Sequence, residues 1–140
     1  MARQWRVAKT LLTLQAQVNR AYPRRNKASD GTIGDSAHAG RTSDHNPWVI
    51  DADGIGVVTA MDLTRDTVNG FDPFVFSRLM IKDPRVKYVI FNRQIYNEAV
   101  ARVWRRYNGQ NPHTQHVHIS VHSIQRLYDN ERVWIIKEAT

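Results

Sequence analysis

The sequence contains no cysteine. That excludes disulfide cross-links, thiolate metal ligands and a cysteine nucleophile, so any metal must be held by histidine or carboxylate side chains. No apolar run approaches the roughly 18 residues that a membrane-spanning helix needs; the longest uncharged apolar stretch is residues 55–61. The first 25 residues lack the apolar core and small-residue cleavage site of a secretory leader, which sets the expectation of a protein that stays in the cytoplasm as made. Glycine and proline are few, seven and five, and no tract is repeated or compositionally biased, so neither a collagen-like nor a disordered chain is expected.

What is present suits one globular domain over residues 1–140, with 41% hydrophobic residues available for a core. Twenty Lys and Arg against 13 Asp and Glu leave a net charge of +7. This favours a polyanionic partner, whether nucleic acid, an anionic membrane surface or an anionic cell wall, and charge alone does not choose among them. The basic residues group at Arg20, Arg24, Arg25 and Lys27 and again at Arg102, Arg105 and Arg106, where a solvated face is the plain alternative to a binding surface.

Val7, Leu11, Leu14, Val18 and Tyr22 trace one face of an amphipathic helix. Residues 23–56 are rich in Gly, Ser, Asp, Asn and Arg and show no period, which predicts a long irregular segment of the kind that often carries function. A buried strand is expected over 57–63, and Asp72-Pro73 reads as the start of a second helix that stops at Asp83-Pro84. Residues 86–91 and 94–96, separated by Asn92-Arg93, suggest a hairpin. The alternation in 116–121 predicts a half-buried strand, and 133–136 suggests an extra edge strand. The resulting fold class is α+β, a central antiparallel sheet with packed helices.

Alternate residues of a strand point the same way, so His116 and His118 can face one pocket. His45 in the irregular segment, Asp62 at the end of the next strand and one histidine of this pair would make a three-ligand zinc site with one position left for water. The other histidine would lie beside that water. Taken singly, His45 reads more often as a plain loop histidine, Asp62 can be a turn or capping residue, and the His116/His118 pair can be a solvated or hydrogen-bonded pair.

Ser43-x-His45, Ala60-x-Asp62 and His116-x-His118 together resemble the two-part signature of the zinc peptidases grouped with lysostaphin, D-alanyl-D-alanine carboxypeptidases and Hedgehog domains. The likeness is strongest to the compact phage endolysin peptidases of family M15, and the residues around these motifs, at 27–38, 57–64 and 111–120, extend it. The resemblance implies a Hedgehog/D-Ala-D-Ala peptidase-like fold, one Zn2+ per chain on His45, Asp62 and His118, and His116 as the catalytic residue. His116 stands where many members have Glu. The step from His45 to Asp62 is longer than the common motif, so residues 47–56 must loop out, and Asp51, Asp53 and Asp66 remain alternative carboxylates.

The expected reaction is metal-assisted hydrolysis of a peptide bond, with His116 handling the proton. Arg41 is the first candidate for binding the oxyanion or a substrate carboxylate, and His113 is the second. Ser43, Ser120 and His122 are candidates for orienting a ligand. The implied partner is the stem peptide of bacterial peptidoglycan, cut at L-Ala-D-Glu, D-Ala-D-Ala or an interpeptide bridge, by a monomeric phage enzyme made in the host cytoplasm and released to the wall through a separate membrane pore. No nucleic-acid partner is expected on this reading. The alternatives are a metal-dependent nuclease, suited by the charge and by Asp44-His45-Asn46, and a non-catalytic phage wall-binding or structural protein.

Overall fold

The structure, a computed structural model, describes residues 4–32, 43–109 and 111–138. A short strand β1 (Trp5–Val7) leads into helix α1 (Lys9–Ala21), which buries Leu11, Leu14 and Val18 and ends at Tyr22, as the apolar spacing predicts. Val7 belongs to the strand rather than the helix because it pairs with Val58 in parallel register. The predicted strand over 57–63 is two strands, β3 (Gly56–Val58) and β4 (Ala60–Thr64), preceded by the short β2 (Val49–Ile50).

The break at Thr59 moves the chain from one sheet to the other. Strands β1, β3 and β2 form a small mixed sheet. Strand β4 joins a five-stranded antiparallel sheet in the order β4-β8-β5-β6-β7, with β5 (Val86–Phe91), β6 (Gln94–Asn97), β7 (Ala101–Arg106) and β8 (His116–Val121). The fold is thus α+β, a central antiparallel sheet flanked by helices. Among the described residues no helix is long and apolar enough to cross a membrane.

Helix α2 (Pro73–Met80) begins where Asp72 caps it, its side chain accepting from Phe74 N at 2.9 Å, with proline in the first turn. The β5–β6 hairpin turns through Asn92 and Arg93, both at positive φ (51° and 66°), the twist that a two-residue hairpin turn requires. One face of the large sheet, Met61, Leu63, Val89, Phe91, Val117, Ile119 and Val121, packs with α1 and α2 into the hydrophobic core. Alternation then puts Asp62, Tyr88, Ile90, His116, His118 and Ser120 on the other face.

Residues 133–136 are not the edge strand expected of them. Trp134 turns inward, 2% exposed, donating its indole N–H to Thr10 O at 2.9 Å, and Ile136 packs partly against the core, while Val133 and Ile135 are each 72% exposed. The alternation is real but turns two side chains onto the core without a strand partner among the described residues. A short helix α3 (Gln125–Tyr128) precedes this segment. Arg25, read from sequence as part of a basic surface group, is buried: its guanidinium forks onto Asp30 at 2.7 Å and lies over the Phe71 ring.

Candidate metal centre

Asp62 and His118 occupy directly opposed positions of the β4–β8 ladder, with Thr64 opposite His116 and Ala60 opposite Ser120. Opposed residues share a face, so the ladder alone brings one carboxylate and two imidazoles together. The third element is the loop after Ser43. His45 N donates to Ser43 Oγ at 3.2 Å and Asp44 O accepts from Thr59 N at 3.1 Å, which hangs the His45 loop from the junction between the two sheets. Asp44 is itself fixed by Trp48 Nε1 at 3.1 Å and Lys87 Nζ at 3.3 Å.

His45 Nε2 lies 3.1 Å from His118 Nδ1. Asp62 places Oδ1 3.2 Å from His118 Nδ1 and Oδ2 3.3 Å from His45 Nε2. The far side of each ring is engaged. His45 Nδ1 donates to the Thr32 carbonyl at 2.7 Å, and a carbonyl only accepts, so the Nδ1 proton is assigned and the neutral ring presents a lone pair at Nε2. His118 Nε2 lies 2.9 Å from Ser120 Oγ, a hydroxyl able to accept from it, and a ring that donates there can turn the Nδ1 lone pair to a metal ion in place of its hydrogen bond to Asp62 Oδ1.

Three donor atoms therefore converge from three segments. Ligands ~2.0–2.1 Å from a tetrahedral zinc ion lie about 3.3–3.4 Å from one another, close to the separations here. Two nitrogens and one carboxylate oxygen, each ring held from behind by a hydrogen bond, are a donor set that fits a zinc-class ion. Asp62, His113 and His116 form a second group whose ligand atoms lie within 4.8 Å of one another. The other aspartates have different work: Asp51 pairs with Arg6 at 3.0 Å and accepts from the amides of Asp53 and Ile55, Asp66 caps the 3-10 turn Thr67–Asn69, and Asp53 is exposed.

Burial would raise the Asp62 carboxyl, but hydrogen bonding to His118 and His45 and their charge hold it well below the usual range. Burial pulls His45 down, and Asp62 more than reverses this, leaving it raised. His116 is lowered, by burial first, against the pull of Asp62. His116 Nε2 stands 3.4 Å from Asp62 Oδ2, an ion-pair distance without hydrogen-bond geometry. Both its ring nitrogens are shielded from solvent and make no hydrogen bond among the described residues.

His113 holds a positive φ of 55° and packs its ring edge-on against His116 and His118, with centroids 4.9 and 5.3 Å away. Burial and the nearby His118 push it down to about 4. Its Nδ1 donates to Asn111 O at 2.7 Å, so the neutral ring turns an acceptor, rather than the donor an oxyanion wants, from Nε2. Tyr88 is a site residue missed from sequence. Its ring stacks on His118 at 5.4 Å and 8°, and burial together with Asp44 raises its hydroxyl, which stays a donor. Only the strand order, which puts β5 beside β8 and Tyr88 opposite Ser120, reveals it.

Arg41 and His38 lie outside the described residues. His122 is not among the clustered side chains; its amide donates to Arg85 O at 3.0 Å. No family model, curated protein or solved structure matches the chain. The arrangement of His45, Asp62 and His118 itself is what marks this face as a candidate metal-dependent active site.

Proposed function

We propose that the chain is a zinc-dependent peptidase that hydrolyses a bond in the stem peptide of bacterial peptidoglycan, as a phage lysis enzyme acting at the wall after release from the host cytoplasm. The observation that carries it is the convergence of His45 Nε2, Asp62 and His118 Nδ1 beside the half-buried His116, whose ring nitrogens are shielded from solvent and make no hydrogen bond among the described residues. The phage and peptidoglycan parts rest on the sequence resemblance.

A zinc ion held by His45, Asp62 and His118 supplies Lewis acidity and lowers the pKa of water. The chain's own residues do the rest. Thr32 and Ser120 fix the two ligand rings, His116 accepts a proton from the attacking water and returns one to the leaving amine, and Tyr88 O–H is a donor on the same face for developing negative charge. Arg41 keeps its proposed part as a partner for the oxyanion or a substrate carboxylate.

Purified peptidoglycan digested with zinc-loaded and chelator-treated protein, with mass spectrometry of the fragments, tests this directly. Zinc-dependent new amino and carboxyl ends on stem peptides are expected, and they name the bond. The second group, Asp62 with His113 and His116, favours a nuclease as the alternative, since two adjacent metal sites suit phosphodiester cleavage. Nicked plasmid DNA beside intact muropeptides would replace the peptidase with that enzyme.

A further inference from the structure

Beside the metal centre, Arg93, Arg106, Tyr107, Asn108, Gly109 and Pro112 line a cleft of about 270 Å³. We propose that this cleft is a carboxylate-binding subsite of the same active site, taking an acidic side chain or terminus of the peptide substrate near the bond that is cut. The proposal rests on the peptidase reading and names the kind of peptide that the site selects.

Backbone hydrogen bonds build the cleft at one point. Arg93, in the left-handed turn between β5 and β6, accepts from Tyr107 N at 2.8 Å and donates to Pro112 O at 2.8 Å, while Asn92 N donates to His113 O at 2.9 Å. The turn thus clamps the end of β7 and the segment that delivers His113 to the metal centre. Gly109 leaves room for the Tyr107 side chain to lie over it. A Cβ there would overlap the Tyr107 hydroxyl and ring, which fold over it.

Two guanidiniums, a phenol and an amide line this cleft, and neither Arg93 nor Arg106 is in an ion pair among the described residues. The neighbouring arginine of the same ribbon, Arg102, does have an acidic partner, Glu98 at 3.4 Å. Both arginines are exposed, and two guanidiniums lining one cleft without a carboxylate partner offer an anion site, for which planar two-point binding suits a carboxylate. Tyr107 joins the cleft to the chemistry. Its ring meets His113 at 5.7 Å between centroids, and His113 in turn meets His118 at 5.3 Å. A chain extended at about 3.3 Å per residue crosses that distance in roughly three residues.

The test is a binding titration of the isotope-labelled, zinc-loaded protein followed by NMR. The probes are N-acetyl-D-glutamate with one free carboxylate, the same compound with that group amidated, and inorganic phosphate. The free acid should shift the amides of residues 107–109, and Arg93→Gln or Arg106→Gln should weaken it roughly tenfold, the scale of a lost charge-assisted hydrogen bond. Equal binding of acid and amide, equal binding by the arginine variants, or tighter binding of phosphate than of the acid would each overturn the proposal.

A second measurement compares kcat/KM on stem peptides carrying Glu or Gln at the acidic position. The wild-type preference for the acid, about tenfold or more, should collapse toward parity in either variant. Arginine-dependent binding of the acid by a protein that cuts no stem peptide would keep the subsite and remove the peptidase.

Discussion

Arg25 grips Asp30 at two points, Nη1 to Oδ1 and Nη2 to Oδ2, each at 2.7 Å. Asp30 Oδ1 also accepts from Thr64 N at 2.7 Å, so one ion pair ties residues 25–32 to β4. The next residue, Gly31, pairs with Asp62, and the Thr32 carbonyl accepts the hydrogen bond of His45 Nδ1. A structural ion pair thus stands behind two of the three converging ligands.

Replacing Arg25 by Ala leaves Asp30 uncompensated and should cost about 3–5 kcal/mol of stability, as breaking a buried pair does. Urea unfolding reads the loss. The conservative Asp30→Asn should retain more stability yet still weaken zinc binding, because the forked contact that places Thr32 is halved; unchanged zinc affinity would detach this pair from the metal centre.

The metal assignment separates the two histidines of β8. His118→Ala should lose zinc and activity together. His116→Ala should keep close to one zinc per chain while turnover falls by roughly 10²–10⁴. Zinc content by elemental analysis, measured beside activity, decides it. The opposite pattern means that the roles are exchanged.

Among the acidic candidates, Asp62→Ala alone should abolish zinc binding. Asp51→Ala should instead lower stability through the loss of its bonds to Arg6 and to the Asp53 and Ile55 amides, with zinc retained. A zinc-free Asp51→Ala protein that is still folded would point to the looped-out segment as the carboxylate source.

Ser120 is fully buried and touches His118 Nε2. Ser120→Ala should weaken zinc by roughly 10–100-fold, as loss of a group that orients a ligand does. A competitive chelator titration measures this, and an unchanged affinity would show that stacking by Tyr88 alone orients the ring.

Acid should destabilise the fold through Asp30 and Asp83. Hydrogen bonding and charge from Arg25 and Arg85 hold both carboxyls below their ordinary value against burial. A depressed folded pKa gives stability that is complete above the unfolded value of about 3.9 and is lost as pH falls through the folded one. The urea midpoint should therefore fall between pH 5 and pH 2. In Asp83→Asn that fall should be smaller; an equal fall would place the acid sensitivity elsewhere.

The sequence makes legible those features whose cause is local. The spacing of Leu11, Leu14 and Val18 gives α1, Asp72-Pro73 gives the start of α2, and Asn92-Arg93 gives a hairpin turn. His116 and His118 announce a shared strand face. Strand β7 escapes notice because Arg102, Val103, Arg105 and Arg106 are all exposed, so no alternation of apolar and polar residues marks it. Thr59 conceals the change of sheet because both flanking strands are buried and equally apolar. The pairing order that sets Tyr88 on His118 is a property of distant strands, and the burial of Arg25 depends on a partner whose position only the folded chain supplies.

The three donors of the metal centre come from widely separated parts of the chain: His118 follows His45 by 73 positions and Asp62 by 56. In a protein without cysteine, an ion gripped by all three is a removable covalent-bridge substitute, closing loops of the length that a disulfide would close. A loop of that size is worth on the order of 4 kcal/mol in the chain-entropy picture. Metal uptake would then double as a lock on the fold: the loaded protein should resist unfolding and proteolysis, and a chelator should loosen its tertiary structure as it removes the ion.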